Sequence, residues 1–191
     1  ARKIRLGYVS GEFRQQATQI LMAGLYEAHD KSRFELFAFS TGTANDHIRT
    51  RAQASFDRFI DITPLSDAAA AERIRREGID ILVTLNGYFG SERLGIFAHR
   101  PAPVQVSWLG YPGTTGASYI DYLIGDGIVT PPKHQPFFTE KLVQLPGTYF
   151  PTDDTLQAGP LPDRAAAGLP PTGFVFCCFN AGWKINKPVF D

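Results

Sequence analysis

The stretch "SDAAAAERIRREGIDILVTLNG", residues 66–87, decides the fold. Ser66 is placed to accept a hydrogen bond from the free N–H groups at a helix start, and Gly78 to stop that helix in the left-handed conformation glycine adopts at little cost. Ile79 to Leu85 follow as a nearly continuous apolar run. A strand apolar on both faces belongs in a parallel sheet covered by helices on both sides. Working outward, the alternation repeats. Strand-like "IRLGYV" (4–9), "FELFAFS" (34–40) and "RFIDI" (58–62) are separated by helical segments at 18–30 and 45–56. In the first helix Thr18 is the expected N-cap, and Ile20, Leu21, Leu25 and Ala28 recur at helical spacing. Such a β-α-β-α-β-α-β order needs crossover connections and predicts an α/β fold, a Rossmann-like parallel sheet with helices on both faces.

Downstream, "SERLGIFAHR" (91–100) reads as a short helix, and "PVQVSWLG" (103–110), "DYLIGD" (121–126) and "EKLVQLP" (140–146) as further strands. Residues 1–150 form one lobe on this reading. Five prolines and two glycines fall within residues 151–171, the composition of a linker. Strand character returns at 174–179, within "GFVFCCFN", and Asn186 and Pro188 mark the start of a helix. One strand and half a helical turn cannot bury their apolar faces alone, so residues 172–191 are expected to open a second, truncated α/β unit.

The 191 residues are 43% hydrophobic, enough for one core and part of another. Nineteen basic residues balance nineteen acidic ones, so no overall field draws the chain to nucleic acid or an anionic membrane. There is no apolar run of about 18 residues and no signal-peptide pattern at the start, and the expectation is a cytoplasmic protein. The cysteines, Cys177 and Cys178, are neighbours, a spacing that suits neither an unstrained disulfide nor a zinc site. His29, His47, His99 and His134 are widely spaced, and no metal is expected.

Three segments fall where parallel sheets present ligands, past the carboxyl ends of strands: "SGEFRQQAT" after the first, "NGYFG" after the fourth and "LGYPGTTGA" after the fifth. Each combines small residues with hydroxyls or amides, a chemistry suited to a polyhydroxylated or phosphorylated ligand. Taken singly, each is also an ordinary turn, with Pro112–Gly113 a common turn dipeptide. The G-x-G-x-x-G fingerprint and the G-x-x-x-x-G-K-[ST] phosphate loop are both absent, against a dehydrogenase or a P-loop enzyme. Glu12 suits either an acid–base role in the cleft or, better, complementing a helix N-terminus.

"RLGYVSGEF", "GIDILVTLNGY", "RPAPVQVSWLGYPGTTGASYIDYLIGD" and "FCCFNAGWKI", in this order, resemble the catalytic region of O-GlcNAc transferase and SPINDLY-like glycosyltransferases. The resemblance implies a GT-B fold, with a sugar nucleotide held between two Rossmann-like lobes, residues 1–150 being the first and 172–191 the start of the nucleotide-binding second. It implies an inverting transfer of a GlcNAc-like sugar from a UDP-sugar donor to Ser or Thr hydroxyls of a protein or peptide acceptor, without a metal or other cofactor. Thr18, Leu109, Gly110 and Pro112 match residues lining the donor sugar, Gln16 and Tyr88 positions in the cleft or on its acceptor side, and Lys184 the lysine that steadies the leaving diphosphate. Alone, Lys184 would be read as a solvated surface residue. Gln16 and Ile20 stand where well-studied members carry histidines, Ala181 where they carry a glutamine, and Trp183 where they carry a tyrosine. The remainder of the second lobe is the expected partner, and these residues by themselves are expected to be nearly inactive. The alternatives are O-fucosyl transfer of the SPINDLY type and a non-catalytic module that binds a peptide or sugar nucleotide.

Overall fold

A computed structural model describes residues 2–179 and 181–190, without the side chains of Trp183, Val189 and Phe190. The chain divides into two units, residues 1–155 and 156–191.

The first unit is built on seven strands: β1 (Ile4–Ser10), β2 (Phe34–Ser40), β3 (Arg58–Asp61), β4 (Ile81–Thr84), β5 (Val104–Trp108), β6 (Tyr122–Asp126) and β7 (Lys141–Leu145). Their order is β3-β2-β1-β4-β5-β6-β7, and every neighbouring pair runs parallel. The chain winds outward one way from β1 to β3, then returns to the middle and winds the other way from β4. The crevice at this reversal, above the carboxyl ends of β1 and β4, is where open α/β sheets take ligands.

Helices α1 (Ala17–Ala28), α2 (His47–Ser55), α3 (Asp67–Glu77) and α4 (Leu94–Ala98) supply the crossovers. The two-residue period of each strand sorts the core onto two faces. Val9, Phe37, Phe39 and Leu82 pack under Ala70, Ala71 and Ile74 of α3 and Leu94, Ile96 and Phe97. On the opposite face Leu6, Tyr8, Leu36 and Ala38 meet Phe13, Met22, Tyr26 and Phe56. The rings of Tyr26 and Phe56 lie 4.7 Å apart and those of Phe13 and Phe59 5.2 Å apart. This second layer does not extend across the sheet. Ile81, Val83, Val104, Val106, Trp108, Tyr122, Ile124 and Val143 floor an apolar groove of about 310 Å³ over β4 to β7.

Helix α3 forms as its sequence dictates: Ser66 Oγ accepts from Ala69 N at 3.3 Å, and Gly78 closes the helix at φ 63. Helix α1 departs from expectation in two ways. Its N-cap is Gln16, whose Oε1 accepts from Thr18 N at 2.7 Å, so Thr18 is the second helical residue. Its buried face carries Thr18, Gln19, Met22, Ala23 and Tyr26, leaving Ile20, Leu21 and Leu25 partly exposed and Ala28 exposed. The rotation follows from Tyr26: its ring enters the aromatic layer while its hydroxyl donates to Gln19 Oε1 at 2.9 Å, which lets a polar Gln19 be buried beside it.

The first unit continues past β7 to Thr155. Arg51 of α2 donates to Asp153 Oδ2 at 2.5 Å and to Thr155 Oγ1 at 3.0 Å, and also pairs with Glu27 of α1 at 2.7 Å. The Arg51 guanidinium holds the fully buried Asp153 carboxyl down at about 2.

In the second unit, the strand expected at 174–179 is not formed: the backbone there is irregular, and Phe174, Phe176 and Phe179 are more than 80% exposed. A strand needs a neighbour for its N–H and C=O groups, and residues 156–191 contain no other strand among those described. Pro188 does fall in the first turn of a short helix, α5 (Lys187–Phe190), preceded by a 3-10 turn at Gly182–Lys184. Asn180, inside the "FCCFNAGWKI" motif, lies outside the described residues, as does the side chain of Trp183.

Candidate functional site

The three small-residue loops meet along the carboxyl edge of the sheet. The loop after β1 and the loop after β4 are joined by two side chains. Asn86 Oδ1 accepts from Gly11 N at 3.1 Å while its Nδ2 donates to Phe89 O at 2.9 Å. Glu12 Oε1 accepts from Ser91 N at 3.3 Å, and Glu12 Oε2 forms an ion pair with Arg14 at 2.5 Å. Glu12 therefore holds a neighbouring loop, and the start of α1, which it was expected to complement, is capped by Gln16 instead.

Gln16 is thus engaged by the backbone of its own helix. Its amide oxygen meets the Thr18 N–H, and an amide has no basicity with which to accept a proton at neutral pH. Thr18 itself is buried in the first turn of α1.

After β5 the chain turns sharply at Leu109, which has φ 74, and Gly110 N donates back to Trp108 O at 3.0 Å. A three-residue turn with a non-glycine residue at positive φ is rare and strained, the kind of geometry that concentrates where backbone meets ligand. Leu109 is buried, which fixes it there. Gly110 is obligatory for another reason: a Cβ would collide with the Leu85 carbonyl and crowd Asn86. The β5 loop therefore lies backbone against backbone on the β4 loop.

Tyr88 and Tyr111 close this seam, with rings 5.6 Å apart at 77°, and Tyr88 Oη donates to Thr115 O at 2.6 Å. Tyr88 keeps 54% of its surface exposed, and Pro112 is exposed beside it. The paired threonines that follow face inward. Thr114 Oγ1 donates to Glu140 Oε2 at 2.6 Å, Thr115 N to Glu140 Oε1 at 2.7 Å, and Thr115 Oγ1 also reaches Oε1. Hydroxyls that the sequence offers as ligand groups are occupied by a buried carboxylate. Burial pushes the Glu140 carboxyl up, but the hydrogen bonds from Thr114 and Thr115 outweigh it and the net displacement is downward, so the group is held ionised.

Of the residues anticipated from sequence, the first unit brings Leu109, Gly110, Pro112 and Tyr88 onto one rim, and places Thr18 and Gln16 at the start of α1, just past the β1 loop that Asn86 ties to that rim. Lys184 is exposed in the 3-10 turn of the second unit, and Ala181 caps that turn. Asn86 and Glu140 escape sequence reading, and Glu12 is read for a different role: "NGY" reads as a turn, and nothing in a sequence pairs Glu12 with Ser91 or Thr115 with a carboxylate 25 positions away. Among the described residues no group of three or more His, Cys, Asp or Glu side chains is disposed to hold an ion, and no helix is long and apolar enough to cross a membrane.

A fully parallel doubly wound sheet with a glycine- and amide-lined crevice at its winding reversal defines a class: α/β proteins that take a ligand at the carboxyl edge. The model of glycosyl transferase family 41 matches residues 1–158, and the chain belongs to that family. It is similar to a variant of Thermobaculum terrenum O-GlcNAc transferase, with 44% identity and a TM-score of 0.76 over 78% of this chain and 29% of that one. It is 39% identical to the probable UDP-N-acetylglucosamine–peptide N-acetylglucosaminyltransferase SEC of Arabidopsis thaliana, over 100% of this chain and 20% of that protein. To the probable UDP-N-acetylglucosamine–peptide N-acetylglucosaminyltransferase SPINDLY of the same plant it is 33% identical, over 100% of this chain and 21% of that one. The chain thus spans about a fifth of the curated relatives it matches.

Proposed function

We propose that these residues supply the first lobe of a GT-B glycosyltransferase that moves a GlcNAc-like sugar from a UDP-sugar to Ser or Thr hydroxyls of protein, with inversion. The observation that carries the proposal is the Leu109–Gly110 turn pressed on the Leu85 carbonyl, at the crevice where such a sheet takes ligands. A rim of backbone without side chains suits a sugar ring, which is recognised by close approach and by amide and hydroxyl hydrogen bonds. The names of the relatives, UDP-N-acetylglucosamine–peptide transferases, supply the donor and acceptor classes.

In the proposed reaction the acceptor oxygen bonds to the anomeric carbon as the bond from that carbon to the diphosphate breaks on the opposite side. The hydroxyl proton is released and UDP departs with the bonding electron pair. Leu109, Gly110 and Pro112 line the sugar, with Thr18 near it and Tyr88 on the acceptor side. Lys184 neutralises charge growing on the diphosphate, which stabilises the transition state more than the bound donor. Gln16, bound to its helix, is no base. No resident cofactor takes part. Cys177 and Cys178, exposed and too close in sequence for an unstrained disulfide with each other, accord with a reducing, cytoplasmic setting.

The similarity to SPINDLY proteins motivates a second reading, transfer of fucose from GDP-fucose. The test is turnover of UDP-GlcNAc and GDP-fucose by the full-length protein and its Lys184→Ala variant. The proposal expects preference for UDP-GlcNAc and a kcat loss of about 100-fold or more in the variant. Preference for GDP-fucose selects the second reading. Donor binding without turnover of either leaves a binding module and ends both.

A further inference from the structure

Glu140 lies just ahead of β7, far along the chain from the rim, and is fully buried. Its two oxygens collect four donors, all neutral: Thr114 Oγ1, Thr115 N, Thr115 Oγ1 and Thr139 Oγ1, the last at 3.1 Å. Hydrogen bonds to a buried carboxylate are the strong kind, and an ion kept in the interior must have them. Three of the four come from the β5 loop. From there one connection runs to the rim and another fixes the chain just beyond it. Thr115 O accepts from Tyr88 Oη at 2.6 Å, and the Tyr88 ring stands edge-on to Tyr111, next to Gly110. Thr114 Oγ1 accepts from Gly116 N at 3.0 Å and fixes the turn that follows.

We propose that Glu140 is a positioning residue for donor binding: its carboxylate anchors the β5 loop through Thr114 and Thr115, and through Thr115 O it sets Tyr88 beside the Leu109–Gly110 turn. The inference rests on the transferase reading given above for its substrate, and on geometry alone for its mechanism. Among the described residues the Thr115 N–H has no other hydrogen bond, so removing the carboxylate leaves a buried donor unpaired and frees the strained turn to relax.

The experiment compares full-length protein with its Glu140→Ala, Glu140→Gln and Thr115→Val variants. Glu140→Ala is expected to raise the KM for the donor about tenfold through the loosened β5 loop, with a smaller rise, about threefold, in the KM for an acceptor peptide through the displaced Tyr88. Glu140→Gln, which keeps an oxygen for the Thr115 donors, recovers most of the loss, and Thr115→Val raises donor KM about threefold. A residue that only holds the sheet together reduces the active fraction, so kcat falling at unchanged donor KM overturns the proposal. If Glu140→Ala does not fold, Thr115→Val carries the same comparison. If the wild type turns over neither UDP-GlcNAc nor GDP-fucose, the transferase reading fails separately. Amide exchange in Thr115→Val then decides the positioning: faster exchange at 87–90 and 109–115 with α3 unchanged supports it, and unchanged protection refutes it.

Discussion

Asp153 shows how one side chain can decide where a unit ends. Its carboxyl is fully buried against Arg51 and displaced to about 2, below the ordinary 3.8. A folded-state value below the unfolded one means the contribution to stability is complete above about pH 4 and is lost as the pH falls through 2. Asp153→Asn is expected to cost about 2 kcal/mol at pH 7, and the difference from wild type in urea unfolding should close toward zero at pH 2. A constant difference across that range would show that the pair does not carry the effect. Leu109 is the other residue whose conformation exceeds its chemistry. Nothing in "WLGY" marks Leu109 rather than Gly110 as the position with positive φ, because Gly110 is needed for the Leu85 contact and the strain falls on its neighbour.

At the scale of elements, legibility follows locality. Ser66 and Gly78 bound α3 as read, since a cap is decided within four residues of chain. Strands β1, β2 and β4 are apolar on both faces, and the parallel sheet follows from that pattern. In helix α1 the sequence places the cap two residues too late and the apolar stripe on the wrong face, because the orientation depends on Tyr26 and Gln19 meeting the aromatic layer, a tertiary event. The segment 174–179 has strand composition and no strand, since pairing is not a property of one segment. The corrected cap is testable. Gln16→Ala should lower stability by about 1 kcal/mol, whereas Thr18→Val should leave the cap intact because the donor there is the backbone N–H. Thermal unfolding that shows the larger loss for Thr18→Val would restore Thr18 as the cap.

For the molecule as a whole, the candidate rim was half visible. The glycines and Tyr88 announce themselves by type and position after strands, while Asn86, Glu12 and Glu140 act across 25 to 79 residues of sequence. The groove over β4 to β7 was not visible at all, because strands apolar on both faces read as buried whether or not a helix covers them. Its apolar floor predicts that the 191-residue chain binds a hydrophobic dye such as anilinonaphthalene sulfonate in its native state. Val143 sits in the groove on the edge strand and is 38% exposed, so Val143→Lys should cut that fluorescence while changing stability by less than about 0.5 kcal/mol. Undiminished dye signal would place the binding elsewhere. The link from Arg51 to Asp153 has a mechanical side as well: it works like strain relief on a cable. A pull on the backbone after Thr155 is taken up by the α1–α2 pair and stops short of β7 and of the rim beside Gly110.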